Sequence, residues 1–297
     1  MCSDTGIDRR SGEGRMRQPE AGAVAVVTTP DGVRVAVHEW GDPDGPEVLL
    51  LHGVGQSHLC FARQWGSDLA RSHRLVAYDV RGHGGSDKPL AAEHYSDGRR
   101  WADEVQAVMD ARDLRRPVAV GWSLGGRILV QYLAHYGDGR LAGLNLVGSR
   151  LIPDTRFSGP GSLAVPTVDP RDAGAHIAMA EAFLRACYHV PMEEADFARA
   201  LAYNMLAPAE VRSAIRAWRA DPAAAMAALR NVRVPTLLTH GRRDQVVLPA
   251  VTELAAATIP GAEVSWFEDC GHAPFWEDAP RFNRELAAFV ARTRTRS

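Results

Sequence analysis

Residues 117–136 read PVAVGWSLGGRILVQYLAHY, an apolar run ending in Gly121-Trp122-Ser123-Leu124-Gly125-Gly126 and followed by a helical pattern. The run is the right length for a buried strand, and apolar residues return at helical spacing after Gly126. A serine between glycines at such a strand-to-helix turn fits G-x-S-x-G, in which the backbone is strained and Oγ projects clear of the sheet. The Leu124 N–H opens the helix, where the dipole favours an anion.

Working outward, further short apolar runs alternate with helical stretches: EVLLL, HRLVAYD, LAGLNLV, VPTLLTHG and AEVSWFED. This alternation predicts an α/β fold with a mostly parallel sheet covered by helices on both faces. Two alternating segments around Val24–Thr28 and Val33–Glu39 flank Thr29-Pro30-Asp31-Gly32 and add an antiparallel hairpin at one edge, making the sheet eight-stranded. The rhythm breaks between Val147 and Pro235. Helical patterns at 172–190, 193–206 and 208–222, punctuated by Pro191, Pro208 and Pro222, predict a helical cap inserted over the sheet's carboxyl edge. The expected organisation is a disordered tail at 1–20, an α/β core at 21–149 and 234–297, and the cap at 150–233. Whether Met1 or Met16 starts the chain stays open, as does oligomeric state.

The length of 297 residues suits one core plus an insertion, and 46% apolar with 24% charged residues is ordinary for a water-soluble chain. A net charge of −2 excludes a long-range field that would recruit nucleic acid or an anionic membrane, and favours a small, nearly neutral ligand. No apolar run approaches the ~20 residues of a membrane span, and the N-terminal stretch has no apolar segment of the kind a secretory signal requires. Cys2, Cys60, Cys187 and Cys270 lack paired spacing and read as reduced thiols, which points to the cytoplasm.

A serine nucleophile needs a base, and eleven histidines compete. His272, in a Gly-His-Ala-Pro loop directly after the last strand run, is best placed; His38, His73, His83, His94 and His135 are assigned surface or structural positions. Asp244, after the run 235–240, supplies the orienting carboxylate, with Asp154 the alternative and Asp269 too close in sequence to His272. His52-Gly53-Val54-Gly55 follows EVLLL, so Val54 N–H can join Leu124 N–H as an oxyanion hole while His52 orders the loop. Trp122, Leu248 and Phe275 near the catalytic atoms, with Met179, Tyr188 and Trp218 from the cap, are the candidate pocket residues and imply an apolar acyl or alcohol group. The glycine-rich stretch 79–87 lacks the Gly-Lys-Ser/Thr of a nucleotide loop, and no metal-ligand spacing occurs, so neither cofactor nor metal is expected.

LLLHGVGQS (49–57), VAYDVRGHGGSDKP (76–89), AVGWSLGG (119–126), PTLLTHGRRD (235–244) and CGHAPFWEDAPRFNRELAAFV (270–290) together resemble the α/β-hydrolase superfamily, from about Ala23 to Val290. GWSLGG and GHAPF are similar to the capped carboxylesterases, including pimeloyl-acyl-carrier methyl esterases. The resemblance implies a serine hydrolase that cleaves a carboxylic ester of a small apolar substrate through an acyl-enzyme. C–C bond hydrolysis, lactone hydrolysis or cofactor-free perhydrolysis on the same triad, or a non-catalytic receptor, are the alternatives. Ser123 argues against the epoxide hydrolases and haloalkane dehalogenases, which carry aspartate there.

Overall fold

A computed structural model describes residues 23–294. The expected tail, Cys2 and both candidate start methionines lie outside the described residues. The eight strands are β1 (Ala23–Thr28), β2 (Arg34–Gly41), β3 (Glu47–Leu51), β4 (Arg74–Tyr78), β5 (Val118–Trp122), β6 (Gly143–Val147), β7 (Thr236–Gly241) and β8 (Glu263–Phe267). They form one sheet in the order β1-β2-β4-β3-β5-β6-β7-β8. The β1–β2 hairpin pairs antiparallel, with Val26 opposite Ala36, and β2 pairs antiparallel with β4. All later neighbours are parallel. Every residue of β5, β6 and β7 is buried, as strands covered on both faces must be, whereas edge strand β8 is mostly half-exposed.

The helices Gly98–Ala111, Leu124–Tyr136, Pro222–Arg230 and Ala250–Thr258 pack one on the next along one face. Ala279–Arg294 covers the other, with Phe289 and Thr293 against Gly143 of β6. Between β6 and β7 lie the helices Ala173–Cys187, Glu194–Asn204 and Ala209–Ala217 and no strand, only a single bridge from Ser158 to Val247. Pro208 precedes Ala209–Ala217 and Pro222 occupies the first turn of its helix, where a missing N–H costs nothing. Asp172 and Asp221 accept from Ala175 N and Ala223 N and so cap their helices.

This insertion rests on the loops that follow β3 and β4, with Arg212 against Gly55 and Val211 against Gly82. One boundary differs from expectation. Pro222–Arg230 packs on Leu124–Tyr136 and Ala250–Thr258 and is therefore a crossover helix of the core, so the segment over the sheet edge ends before Pro222 and not at residue 233.

The loops after β3 and β4 are tied together by buried polar groups. His52 Nε2 accepts from Val80 N at 3.0 Å, and His83 Nε2 accepts from Gly55 N at 2.9 Å. Asp79 accepts from His58 N at 2.6 Å, His58 Nδ1 at 2.9 Å and Gly85 N at 2.7 Å. Burial opposes ionisation of Asp79, but the His38 ring nitrogen 3.6 Å away and the hydrogen bond from His58 outweigh it and hold the carboxyl well below its ordinary value. A carboxyl with a depressed folded pKa contributes stability above its unfolded pKa, near 3.8, and that contribution is lost as pH falls through the folded value. Asp79→Asn is expected to cost roughly 1–3 kcal/mol at neutral pH, and its deficit should narrow as both proteins are taken below about pH 4. Scanning calorimetry across that range checks this; a deficit independent of pH would assign Asp79 a role in packing alone.

Candidate active site

Ser123 has φ 54° and ψ −110°, one of two positive-φ residues other than glycine among the described residues. Such a conformation costs about 1–3 kcal/mol and persists only where the surroundings enforce it. They do so here: Ser123 N donates to Val147 O at 3.0 Å, and the glycines two positions either side leave no room for a Cβ. A Cβ at Gly121 would stand 2.7 Å from Gly126 N, and one at Gly125 2.3 Å from Leu51 O. The spacing of G-x-S-x-G is thus a packing requirement of the turn. Ser123 Oγ faces a cavity and makes no hydrogen bond to the protein among the described residues.

Asp244 follows β7 and is completely buried. Its Oδ1 accepts from Val246 N at 2.7 Å and Val247 N at 2.9 Å, while Oδ2 meets His272 Nδ1 at 2.7 Å and His240 Nε2 at 3.0 Å. Burial raises the pKa of Asp244, but the charge of His272 and hydrogen bonds from His240 and His272 override it and hold the carboxyl well below its ordinary value. An ionised carboxylate only accepts, so His272 carries its proton on Nδ1 and presents a lone pair at Nε2, which is buried and has no partner. His240, not among the residues expected from the sequence, has Nε2 facing Val247 O as well as Asp244, so that nitrogen bears its proton and Nδ1 accepts from Thr252 Oγ1 at 2.6 Å. The i, i+4 spacing of His240 and Asp244 across the strand end was the available signal. Asp154 instead pairs with Arg156 at 2.9 Å on the surface, and Asp269 is exposed.

The loop holding His272 is braced on several sides. His272 N donates to Cys187 O at 2.8 Å, and Trp122 Nε1 donates to His272 O at 2.8 Å. Glu277 accepts from Gly271 N on one oxygen and from His189 N and Val190 N on the other, each at 2.8 Å. The Trp122 ring, next in the chain to Ser123, lies 5.6 Å from the His272 ring. Ser123 Oγ and His272 Nε2 are not hydrogen-bonded to each other, an arrangement that commonly tightens when substrate binds.

Gly53 brings the loop after β3 against the serine, so that a Cβ there would stand 3.2 Å from Ser123 Cβ. Val54 and Leu124 both line the cavity, and neither N–H reaches a protein acceptor among the described residues. Backbone donors left free beside a serine hydroxyl are suited to an oxyanion.

The cavity has a volume of about 260 Å³. Of the expected pocket residues, Met179 and Trp218 line it. Leu248 does not; its neighbours Val246 and Val247 do. Trp122 and Phe275 are core residues stacked edge to face at 4.8 Å, and Tyr188, at the end of the inserted helix Ala173–Cys187, is buried and does not line the cavity. The larger departure is charge. Arg127, Arg150, Arg212, Arg216 and Arg219 all line the cavity, a local field that a net charge of −2 conceals and that does not favour the neutral ligand expected from it.

Although no metal-ligand spacing is visible in the sequence, the fold brings His38, His58 and Asp79 together with one donor atom of each within 4.8 Å of the others. The His38 and His58 rings stack at 3.4 Å, and Asp79 is already engaged with backbone N–H groups, so the trio serves first to fasten the loops.

A family model for the alpha/beta hydrolase fold matches residues 46–279. The crystal structure of a Burkholderia cenocepacia protein assigned as an aryl esterase is similar with a TM-score of 0.86 at 36% identity, covering 92% of this chain and 100% of that one. The non-heme chloroperoxidase of Streptomyces lividans is 28% identical over 90% of this chain and 99% of its own. The 2-hydroxymuconate semialdehyde hydrolase of Pseudomonas sp. strain CF600 is 29% identical over 92% of this chain and 95% of its own.

Proposed function

Because the chain belongs to the α/β-hydrolase family, we propose that it is a serine hydrolase that cleaves a small carboxylic ester through an acyl-enzyme. The observation that carries this reading is the strained Ser123 with its unengaged Oγ, beside a His272 whose Nδ1 is committed to Asp244. Ser123 Oγ attacks the ester carbonyl and His272 Nε2 takes its proton. The tetrahedral oxyanion is held by the N–H groups of Val54 and Leu124, where each donor contributes about 3 kcal/mol to stabilising the transition state. The intermediate collapses as His272 protonates the departing alcohol. Water then attacks the acyl-serine with His272 as base, and the acid leaves.

Val246, Val247, Met179 and Phe183 give the cavity an apolar wall for the rest of the substrate, and the insertion acts as a cap that limits its size. The partner is a small molecule. Three buried, unpaired thiols, Cys60, Cys187 and Cys270, support a reducing compartment such as the cytoplasm. Among the described residues no helix is long and apolar enough to cross a membrane.

A fluorophosphonate probe is expected to add one label per chain, located by peptide mass spectrometry at Ser123. Absence of labelling, or labelling elsewhere, would remove the nucleophile from this reading.

A further inference from the structure

Arginines buried elsewhere in the chain are paired. Arg81 meets Glu104 at 2.7 Å and Asp31 at 2.8 Å, while Arg74 and Arg112 share Glu39. Those around the cavity are not. Arg127, one turn along the helix from Ser123, places its guanidinium 4.3 Å over the Trp218 ring, and its one hydrogen bond is a long contact of 3.5 Å to Trp218 O. Arg150 donates to Ser158 Oγ at 2.6 Å. Arg216 and Arg219 donate only to backbone carbonyls, those of Val165, Arg216 and Trp218. Asp154, whose charge acts on Arg150, is itself paired with Arg156 at 2.9 Å.

These cations repel one another across the cavity. Burial, together with the like charges of Arg150 and Arg219, pulls Arg127 down to about 9, and burial with Arg219 and Arg216 lowers Arg150. A guanidinium does not escape this cost by losing its proton, and an apolar side chain would pack the same wall more stably. An anion entering the cavity relieves both the repulsion and the missing hydrogen bonds. The planar fork of arginine matches a carboxylate with two parallel bonds.

We propose that Arg127 and Arg150, with Arg216 and Arg219 at the rim, form a subsite for a carboxylate carried by the substrate, so that the ester cleaved at Ser123 is an anionic one. This rests on the ester hydrolysis proposed above. Arg127 and Arg150 line the same cavity of about 260 Å³ as Ser123, so a short spacer joins the carboxylate to the scissile carbonyl. The apolar wall then receives the spacer and the remaining ester group.

Two matched pairs of esters test it by pH-stat: monoethyl glutarate against ethyl pentanoate places the charge on the acyl side, and 3-acetoxypropanoate against propyl acetate places it on the alcohol side. One of the charged esters is expected to exceed its neutral partner in kcat/KM by about tenfold or more, and Arg150→Gln or Arg127→Gln to reduce that ratio by about tenfold, through KM. Calorimetric titration of glutarate and of 3-hydroxypropanoate into Ser123→Ala reads the subsite without chemistry. Binding of at least one is expected, weakened about tenfold by adding Arg150→Gln and weakened by salt. If neither charged ester is preferred and neither anion binds, the subsite is overturned. If an anion binds in an Arg150-dependent manner but no ester is turned over, the subsite stands and the ester chemistry falls.

Discussion

Ser123→Ala is expected to lower kcat for an activated ester by about a millionfold, the loss typical when the nucleophile of a serine triad is removed. The size follows from the site's construction. Without Oγ there is no acyl-enzyme, and water would have to attack directly across a cavity whose base is aimed at the serine. Alanine keeps the Cβ, and the bond to Val147 O and the close-packed glycines that hold φ at 54° are untouched, so the turn and the melting temperature should be unchanged. Steady-state kinetics with a p-nitrophenyl ester, beside a melting curve, separates the two effects. Residual activity within tenfold of wild type would mean that hydrolysis proceeds elsewhere.

The second large effect is expected at Asp244→Asn, about 10⁴-fold in kcat. Val246 N and Val247 N both need an acceptor, so the asparagine oxygen stays with them and its NH₂ group is turned toward His240 and His272. His240 already presents an N–H there, fixed by Val247 O and Thr252. His272 can relieve the clash only by moving its proton to Nε2, which converts the base facing Ser123 into a donor. The protein should fold and bind substrate, yet fail to take the serine proton. A rate near that of the parent would remove Asp244 from the orienting role and leave His272 positioned by Cys187 O, Trp122 and the Glu277 brace on its loop.

The parts of this site that were legible in the sequence are those governed by one-dimensional rules. Central parallel strands are continuous apolar runs, and Ser123 and Asp244 follow two of them, β5 and β7, while His272 lies in the loop after the edge strand β8. The pocket walls obey no such rule. Leu248 and the two valines before it have the same composition, and only the path of the loop, which hands Leu248 N to Phe157 O, decides which of them face the substrate. Trp122 adjoins Ser123 in sequence but turns into the core against Phe275. The arginine cluster was hidden for another reason: with 34 basic and 36 acidic residues the total charge cancels, and only the fold reveals that one cavity received cations alone. Arg127 could have been found, since four residues along a helix from Ser123 is the same face.

Glu277 ties the end of the inserted helix, through His189 and Val190, to Gly271 beside His272. A chimera that borrows another protein's insertion to change selectivity must therefore splice outside 187–190, or bring a matching acceptor for those N–H groups. Grafts cut within that stretch are expected to unseat His272, the proposed general base, along with the inserted helices, which would tie selectivity to reactivity in this chain.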